Sequence, residues 1–275
     1  MTDTAPDIRL IAADMDGTLL DDEHELHDHL WPLIDELTAR GIAFCAASGR
    51  QYHNLVTRFP DLAQRMTFIA ENGAYVVHDG EELSSDTLDE RLVRTVVTHL
   101  RDLVVGGADL GVVVCGKESA YIERLDAPFR EQVDKYYARL QVVDNLLARP
   151  ADDVLKVAVY DFGSAEAGAG PALAPFSAEA KVVVSGAHWV DVMNTATNKG
   201  AALRSVQSAL GVTADQTMAF GDYLNDLELL DAAAHSYAMA NAHPDVKARA
   251  RHIAPSNAEN GVVRTISEVL GLDWH

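Results

Sequence analysis

Asp14 and Asp16 stand two residues apart at the end of a short apolar run, Ile8-Arg9-Leu10-Ile11-Ala12-Ala13. An extended backbone there sends both carboxylates to one side, about 7 Å apart along the chain, so that two acids flank one reacting group. Far along the sequence, Asp222 and Asp226 bracket Asn225 after a second apolar run, Thr217-Met218-Ala219-Phe220. If the two runs are neighbouring strands, three or four carboxylates converge without a basic cluster, and their mutual repulsion calls for a divalent cation. Oxygen-only ligands imply a hard ion, and Mg2+ is the default where a substrate phosphate completes the shell. One such loop alone reads as capping aspartates. Two, each at the end of a strand, point to a metal site.

The elements that must position these residues follow from the hydrophobic pattern. Ile8–Ala13 reads as a buried strand. Leu30, Leu33, Ile34 and Leu37 recur at helical spacing over residues 27–39, with Gly41 placed as a C-cap. Ile42–Ala47 is a second strand ending at Ser48-Gly49-Arg50, a helix runs to about Phe59, and Thr67–Ala70 is a third strand ending at Glu71-Asn72-Gly73. Strands alternating with helices, with polar residues at each carboxyl end, predict a doubly wound, Rossmann-like parallel sheet with its ligand crevice at those ends. The pattern changes over residues 84–187, where helices at 88–103 and 132–140 and strands at 112–115, 155–159 and 181–184 suggest an inserted α+β module. The expected division is therefore a core of residues 1–83 and 188–275 and an insertion of residues 84–187. The core pattern resumes with Asn198-Lys199-Gly200 opening a helix through Leu210.

The chain has 275 residues, 48% of them hydrophobic, with a formal net charge of −20. That charge excludes a basic nucleic-acid or anionic-membrane binder, while the apolar content is enough for a real core. Residues 84–187 carry 11 basic and 16 acidic side chains, so the excess negative charge sits mainly with the carboxylate loops. Cys45 and Cys115 lie in apolar stretches and read as buried thiols, not a disulfide framework. Without a basic-then-apolar leader or an apolar run near the roughly 20 residues that span a bilayer, a cytoplasmic protein is expected.

Asp14-Met15-Asp16-Gly17-Thr18-Leu19 resembles the first motif of the haloacid-dehalogenase-like superfamily of aspartate-nucleophile phosphatases. Ser48-Gly49-Arg50 is similar to its second motif, Lys199-Gly200 to its third and Gly221-Asp222-Tyr223-Leu224-Asn225-Asp226 to its fourth, in the right order. The insertion, with Glu71-Asn72-Gly73-Ala74 and Ala238-Met239-Ala240-Asn241-Ala242, resembles the Cof-type branch, which carries a C2-type cap and includes many sugar-phosphate phosphatases.

The resemblance implies that Asp14 is the nucleophile that takes up the phosphoryl group and Asp16 the general acid and base. Mg2+ would be held by the Asp14 carboxylate, the Asp16 backbone carbonyl and Asp222, with Asp226 acting through water. Ser48 and Lys199 would hold phosphate oxygens, the Met15, Gly17 and Gly49 backbones would line the pocket, and Asn225 would fix substrate or loop geometry. Arg50 either contacts substrate or anchors an acidic loop. The partner implied is a small phosphorylated metabolite, such as a sugar phosphate, with no nucleic acid and no membrane. A phosphotransferase or mutase using the same intermediate is the nearest alternative, and a phosphate-responsive regulatory module a more distant one. The sequence departs from the family at Asn198, where a small hydroxyl residue is usual, and at Ala240, where glycine is frequent.

Two other patterns resolve to bland readings. Gly111-Val112-Val113-Val114-Cys115-Gly116-Lys117 copies P-loop spacing, but Glu118 replaces the Ser/Thr and the residues between the glycines are strand formers. His24, His27 and His29 are spread around a helix or along a polar loop and read as solvated residues, not as transition-metal ligands. Within the insertion, Arg124, Lys156 and His188 are candidates for meeting the leaving group, and the sequence does not rank them.

Overall fold

The computed structural model describes residues 6–272, which fall into two compact units. Fourteen strands are found among the described residues. In chain order they are β1 (Leu10–Asp14), β2 (Ala43–Ala47), β3 (Thr67–Ala70), β4 (Tyr75–His78), β5 (Glu81–Ser85), β6 (Leu110–Gly116) and β7 (Ala120–Ile122). The remainder are β8 (Leu140–Val142), β9 (Val154–Asp161), β10 (Lys181–Val184), β11 (Trp189–Met193), β12 (Thr217–Gly221), β13 (His235–Met239) and β14 (His252–Ala254).

Among the described residues, the first unit comprises 6–49, 61–84 and 198–272 and is built on an eight-stranded sheet of order β14-β13-β12-β1-β2-β3-β4-β5. From β14 to β3 every pairing is parallel, and β4 returns antiparallel to β3. Strand β1 is central and wholly buried, and Ala12 and Ala13 leave room for covering helices on both faces. The expected strand at Ile8–Ala13 therefore begins and ends slightly later, the strand expected at Thr67–Ala70 is β3, and β4, which returns antiparallel to it after Gly73, had no counterpart in the sequence reading.

Helix Lys199–Leu210 starts because Asn198, in extended conformation, accepts a 2.7 Å hydrogen bond from the Ala201 amide. Asn198 thus supplies the N-cap of the helix that Lys199 opens. Gly200 lets this helix approach helix Leu227–Asp231: a Cβ at that position would stand 2.8 Å from Glu228 Cβ and closer still to the Glu228 carbonyl. Gly→Ala inside a helix ordinarily stabilises by up to about 1 kcal/mol. Here the backbone clash reverses the sign, and Gly200→Ala is expected to destabilise by about 1–3 kcal/mol, measured as a lowered Tm; a raised Tm would refute the close packing.

The second unit comprises residues 50–60 and 85–197. Its six-stranded sheet has the order β10-β11-β9-β6-β7-β8, antiparallel except for β7 with β8. Strand β9 is buried along its whole length, and its side chains alternate between two cores. Val157 and Val159 join Val93, Val96, Val97 and Leu100 of helix Glu90–Val105, whose N-cap Asp89 accepts from the Arg91 amide at 2.8 Å. Ala158 and Tyr160 join Phe129 and Val133 of helix Ala127–Val133 on the opposite face.

Three expectations for this region are corrected. The boundary near residue 187 falls too early, because β11 inserts between β9 and β10 and its pairing draws residues 188–197 into the second unit. Residues 50–60 also belong there, since Gln51 exchanges two 2.9 Å hydrogen bonds with the Arg139 backbone and His53 Nε2 lies 3.0 Å from the Lys117 carbonyl oxygen. The helix expected at 132–140 occupies Ala127–Val133 instead, started by Asp126, which accepts from the Phe129 amide, and by Pro128 in its first turn; Leu140 is in a strand.

Candidate active site

Register brings the first unit's polar residues to one edge of its sheet. Asp14 pairs with Ala47, so Ser48 lies one residue beyond, and Ala13 pairs with Phe220, so Asp222 follows two residues after that partner. At Asp14 the chain leaves the strand for a wide turn over residues 15–19, closed by a 2.8 Å hydrogen bond from the Leu20 amide to the Met15 carbonyl oxygen. The extended run through Asp16 expected from the two-residue spacing is thus interrupted. Gly17 takes φ +80°, and a Cβ there would stand 2.5 Å from Asp222 Oδ2, so both backbone and space demand glycine.

Asp14, Asp222 and Asp226 each offer a carboxylate oxygen, and the three lie within 4.8 Å of one another, the one such group among the described residues. Lys199, 1% exposed, reaches into this group from the first residue of its helix and donates to Asp14 and, at 2.7 Å, to Asp226 Oδ1. Asp226 Oδ2 accepts the amides of Asp222 and Tyr223 at 3.1 and 3.2 Å, shaping the loop that carries Asp222. Thr18 Oγ1 donates to Asp222 Oδ1 at 2.9 Å.

The electrostatics follow from this crowding. Burial, and then the Asp226 charge, push the Asp14 carboxyl well above the usual carboxylate range, with Lys199 working in the opposite sense. Burial and Asp226 likewise raise Asp222 to about 6, against the Thr18 hydrogen bond and the Lys199 charge. Burial would lower Lys199, but the charges of Asp14 and Asp226 outweigh it and hold the ammonium protonated. One ammonium facing three carboxylates leaves excess negative charge among oxygen-only donors, a set that fits a hard divalent cation of the Mg2+ kind.

Other residues expected at the site are distributed unevenly. Met15 and Ser48 are buried. Asn225 Nδ2 donates to Asn72 Oδ1 at 3.2 Å, and a Cβ on Gly49 would touch the same Asn72 carboxamide, so Asn225 and Gly49 meet through Asn72. The Asp16 carboxylate, 42% exposed, stands outside the three-carboxylate group, with His24 Nδ1 at 3.8 Å. Arg50 lies in the second unit, its guanidinium 5.4 Å from the Tyr136 ring centroid and Nη1 3.4 Å from Asn54 Oδ1.

Three side chains escaped the sequence reading as site residues: Thr18, Asn72 and Asn241, whose Nδ2 donates to the Gly17 carbonyl oxygen at 2.8 Å. Each lies in a segment already singled out, so its polar side chain was the available signal. The P-loop look-alike is a β-hairpin whose Glu118 and Ser119 amides go to the Asp152 carboxylate, with Lys117 3.3 Å from Asp153. His27 Nε2 is 3.0 Å from the Asn257 carbonyl oxygen.

Comparison with known proteins extends this picture. The family profile described as haloacid dehalogenase-like hydrolase matches residues 11–266. The 5-amino-6-(5-phospho-D-ribitylamino)uracil phosphatase YbjI of Escherichia coli K12 is 34% identical over 271 residues, covering 96% of each chain. The HMP-PP phosphatase of Cronobacter sakazakii is 28% identical over 247 residues, 89% of each. Among solved structures, SMU.1108c from Streptococcus mutans UA159 superposes with a TM-score of 0.86 at 28% identity, over 96% of this chain and 99% of that one.

Proposed function

The chain belongs to the haloacid dehalogenase-like hydrolases, and from that membership we propose that it hydrolyses small phosphomonoesters through a covalent phosphoryl-Asp14 intermediate. The observation that carries the proposal is the group of Asp14, Asp222 and Asp226 with the Lys199 ammonium in contact with two of them. Related chains named for phosphatase activity on small phosphorylated compounds support the substrate class.

In the proposed reaction an Asp14 carboxylate oxygen attacks phosphorus as the ester oxygen leaves, taking a proton from Asp16. Asp16, now a carboxylate, removes a proton from water, which attacks the phosphoryl group, returns the Asp14 carboxylate and releases phosphate. Lys199 reduces the repulsion between nucleophile and phosphate, and Ser48 donates a hydrogen bond to a phosphate oxygen. Asp14, Asp222 and the Asp16 backbone carbonyl would hold Mg2+, with Asp226 behind them; when bound, the ion supplies charge compensation for the carboxylates and the phosphoryl oxygens. We assign the second unit to selecting the leaving group.

Lys199→Ala is the test of this arrangement: kcat/KM for a phosphomonoester should fall on the order of 10²-fold or more. Lys117→Ala, in the hairpin turn, should leave it nearly unchanged. Equal losses would show that the phosphate is held elsewhere.

A further inference from the structure

In the first unit, Ala70 at the end of β3 pairs with Tyr75 at the start of β4, so residues 71–74 form the loop of a hairpin. Loops of that length are ordinarily built around a type I turn, whose central residues are right-handed. Here three successive residues are left-handed: Glu71 at φ +50°, Asn72 at +58° and Gly73 at +105°. Only glycine visits that region freely, and other residues stay there when their surroundings hold them, a condition concentrated at functional segments. Reversing the chain does not call for this conformation.

What the turn achieves is contact with three other loops. The Asn72 amide donates to the Ser48 carbonyl oxygen at 3.0 Å. The Asn72 carboxamide, on a residue 7% exposed, lies against Gly49, where a Cβ would stand 3.0–3.3 Å from its Oδ1, Nδ2 and Cγ. Its Oδ1 accepts from Asn225 Nδ2 at 3.2 Å. Because φ sets the angle between a residue's N–H and its side chain, the left-handed value lets the amide reach Ser48 while the carboxamide reaches Gly49 and Asn225. Gly73 packs so closely on the segment before Lys199 that a Cβ would stand 2.5 Å from the Asn198 carbonyl oxygen and 3.2 Å from the Lys199 backbone nitrogen. Ser48 and Lys199, the two groups assigned above to the phosphate, are each 1% exposed. Displacing such groups by about 1 Å costs on the order of 10²-fold in rate.

We infer that Asn72 is a positioning residue for the phosphate: from the left-handed turn it fixes the Ser48 loop against the loop of Asn225, and Gly73 braces the start of the Lys199 helix. The inference rests on the phosphate site proposed above and adds to it a residue that acts through Ser48.

Calorimetric titration of the full chain with inorganic phosphate, at one fixed Mg2+ concentration, tests it. Asn72→Gly keeps the left-handed backbone and the amide that meets Ser48, and the strain it relieves offsets the freedom glycine adds to the unfolded chain. Tm should therefore stay near the wild type's while phosphate affinity falls about 10-fold. Ser48→Ala should also cost about 10-fold, and the two together little more than either, where independent sites would multiply to about 100-fold. A residue that served the fold alone would lower Tm and leave the affinity of the folded protein unmoved. Absence of phosphate binding by the wild type, unaltered affinity in Asn72→Gly, or losses that multiply would overturn the inference. Should Asn72→Gly not fold, Asn225→Ala removes the same hydrogen bond from an exposed residue and decides by the same coupling to Ser48→Ala. Hydrolysis of a phosphomonoester is scored separately. Phosphate affinity that depends on Asn72, without hydrolysis, removes the phosphatase function and keeps the positioning role, and hydrolysis with affinity independent of Asn72 does the reverse.

Discussion

Asp14→Asn is expected to lower kcat on the order of 10⁴-fold or more, as loss of a covalent nucleophile does, while the protein stays folded. The amide cannot carry the anionic attack, yet it has nearly the same shape and still accepts from Lys199. The electrostatics predict the stability as well. A carboxyl whose pKa is higher in the folded state favours folding most below its unfolded value, near about 3.9, and that contribution is lost as pH rises through the folded value. Asp14 is of this kind, raised by burial and by Asp226. At neutral pH its ionised form therefore costs the metal-free protein stability that asparagine does not. Thermal melts without divalent ions should give the variant a Tm equal to or above the wild type's. The excess should shrink as the buffer is made more acidic and the wild-type carboxyl takes up its proton. Substantial turnover by the variant would remove Asp14 from its role, and a collapse of Tm would mean that its charge is structural.

Asp16→Asn separates the two chemical steps. The Asp16 side chain lies outside the carboxylate group and is 42% exposed, so its replacement should keep that group's geometry while removing one charge that acts on Asp14 and Asp222. The backbone carbonyl assigned to Mg2+ is retained. An aryl phosphate, whose leaving group departs as an anion, needs no proton from Asp16 and should still phosphorylate Asp14. Hydrolysis of the intermediate, which needs water activated by Asp16, should become slow. Rapid mixing should therefore show a burst of aryl alcohol approaching one equivalent per enzyme, followed by a steady state reduced about 10²–10⁴-fold. Alkyl phosphates should show little burst, because their first step is impaired too. Equal losses for both ester types with no burst would exclude Asp16 as the acid and base.

Much of the first unit could be read along the chain because its information is local. Small apolar runs such as Leu10–Ala13 and Thr217–Phe220 are strands buried on both faces, and the polar residues that end them fall at the sheet's carboxyl edge whatever the details of packing. The order of the motifs then sufficed to propose which carboxylates converge. Lys199 could be singled out for the same reason: it opens a helix after a capping residue, where a cation is unfavourable unless an anion is near.

What tertiary structure alone decided depends on pairings between distant segments. Trp189–Met193 has no local mark telling which sheet it joins, and only its ladder with Val157–Tyr160 assigns it to the second unit. Arg50 follows Ser48-Gly49 directly, yet Gln51 and His53, bound to residues 139 and 117, carry it into that unit. The division of Asp226 between Lys199 and two loop amides, and the meeting of Asn225 with Asn72, likewise required the folded loops. The ion pair of Lys156 with Asp191 is the extreme case. Two charges 35 positions apart come together only when antiparallel register sets them on one buried face, because a strand's own sequence specifies alternation and not its neighbour.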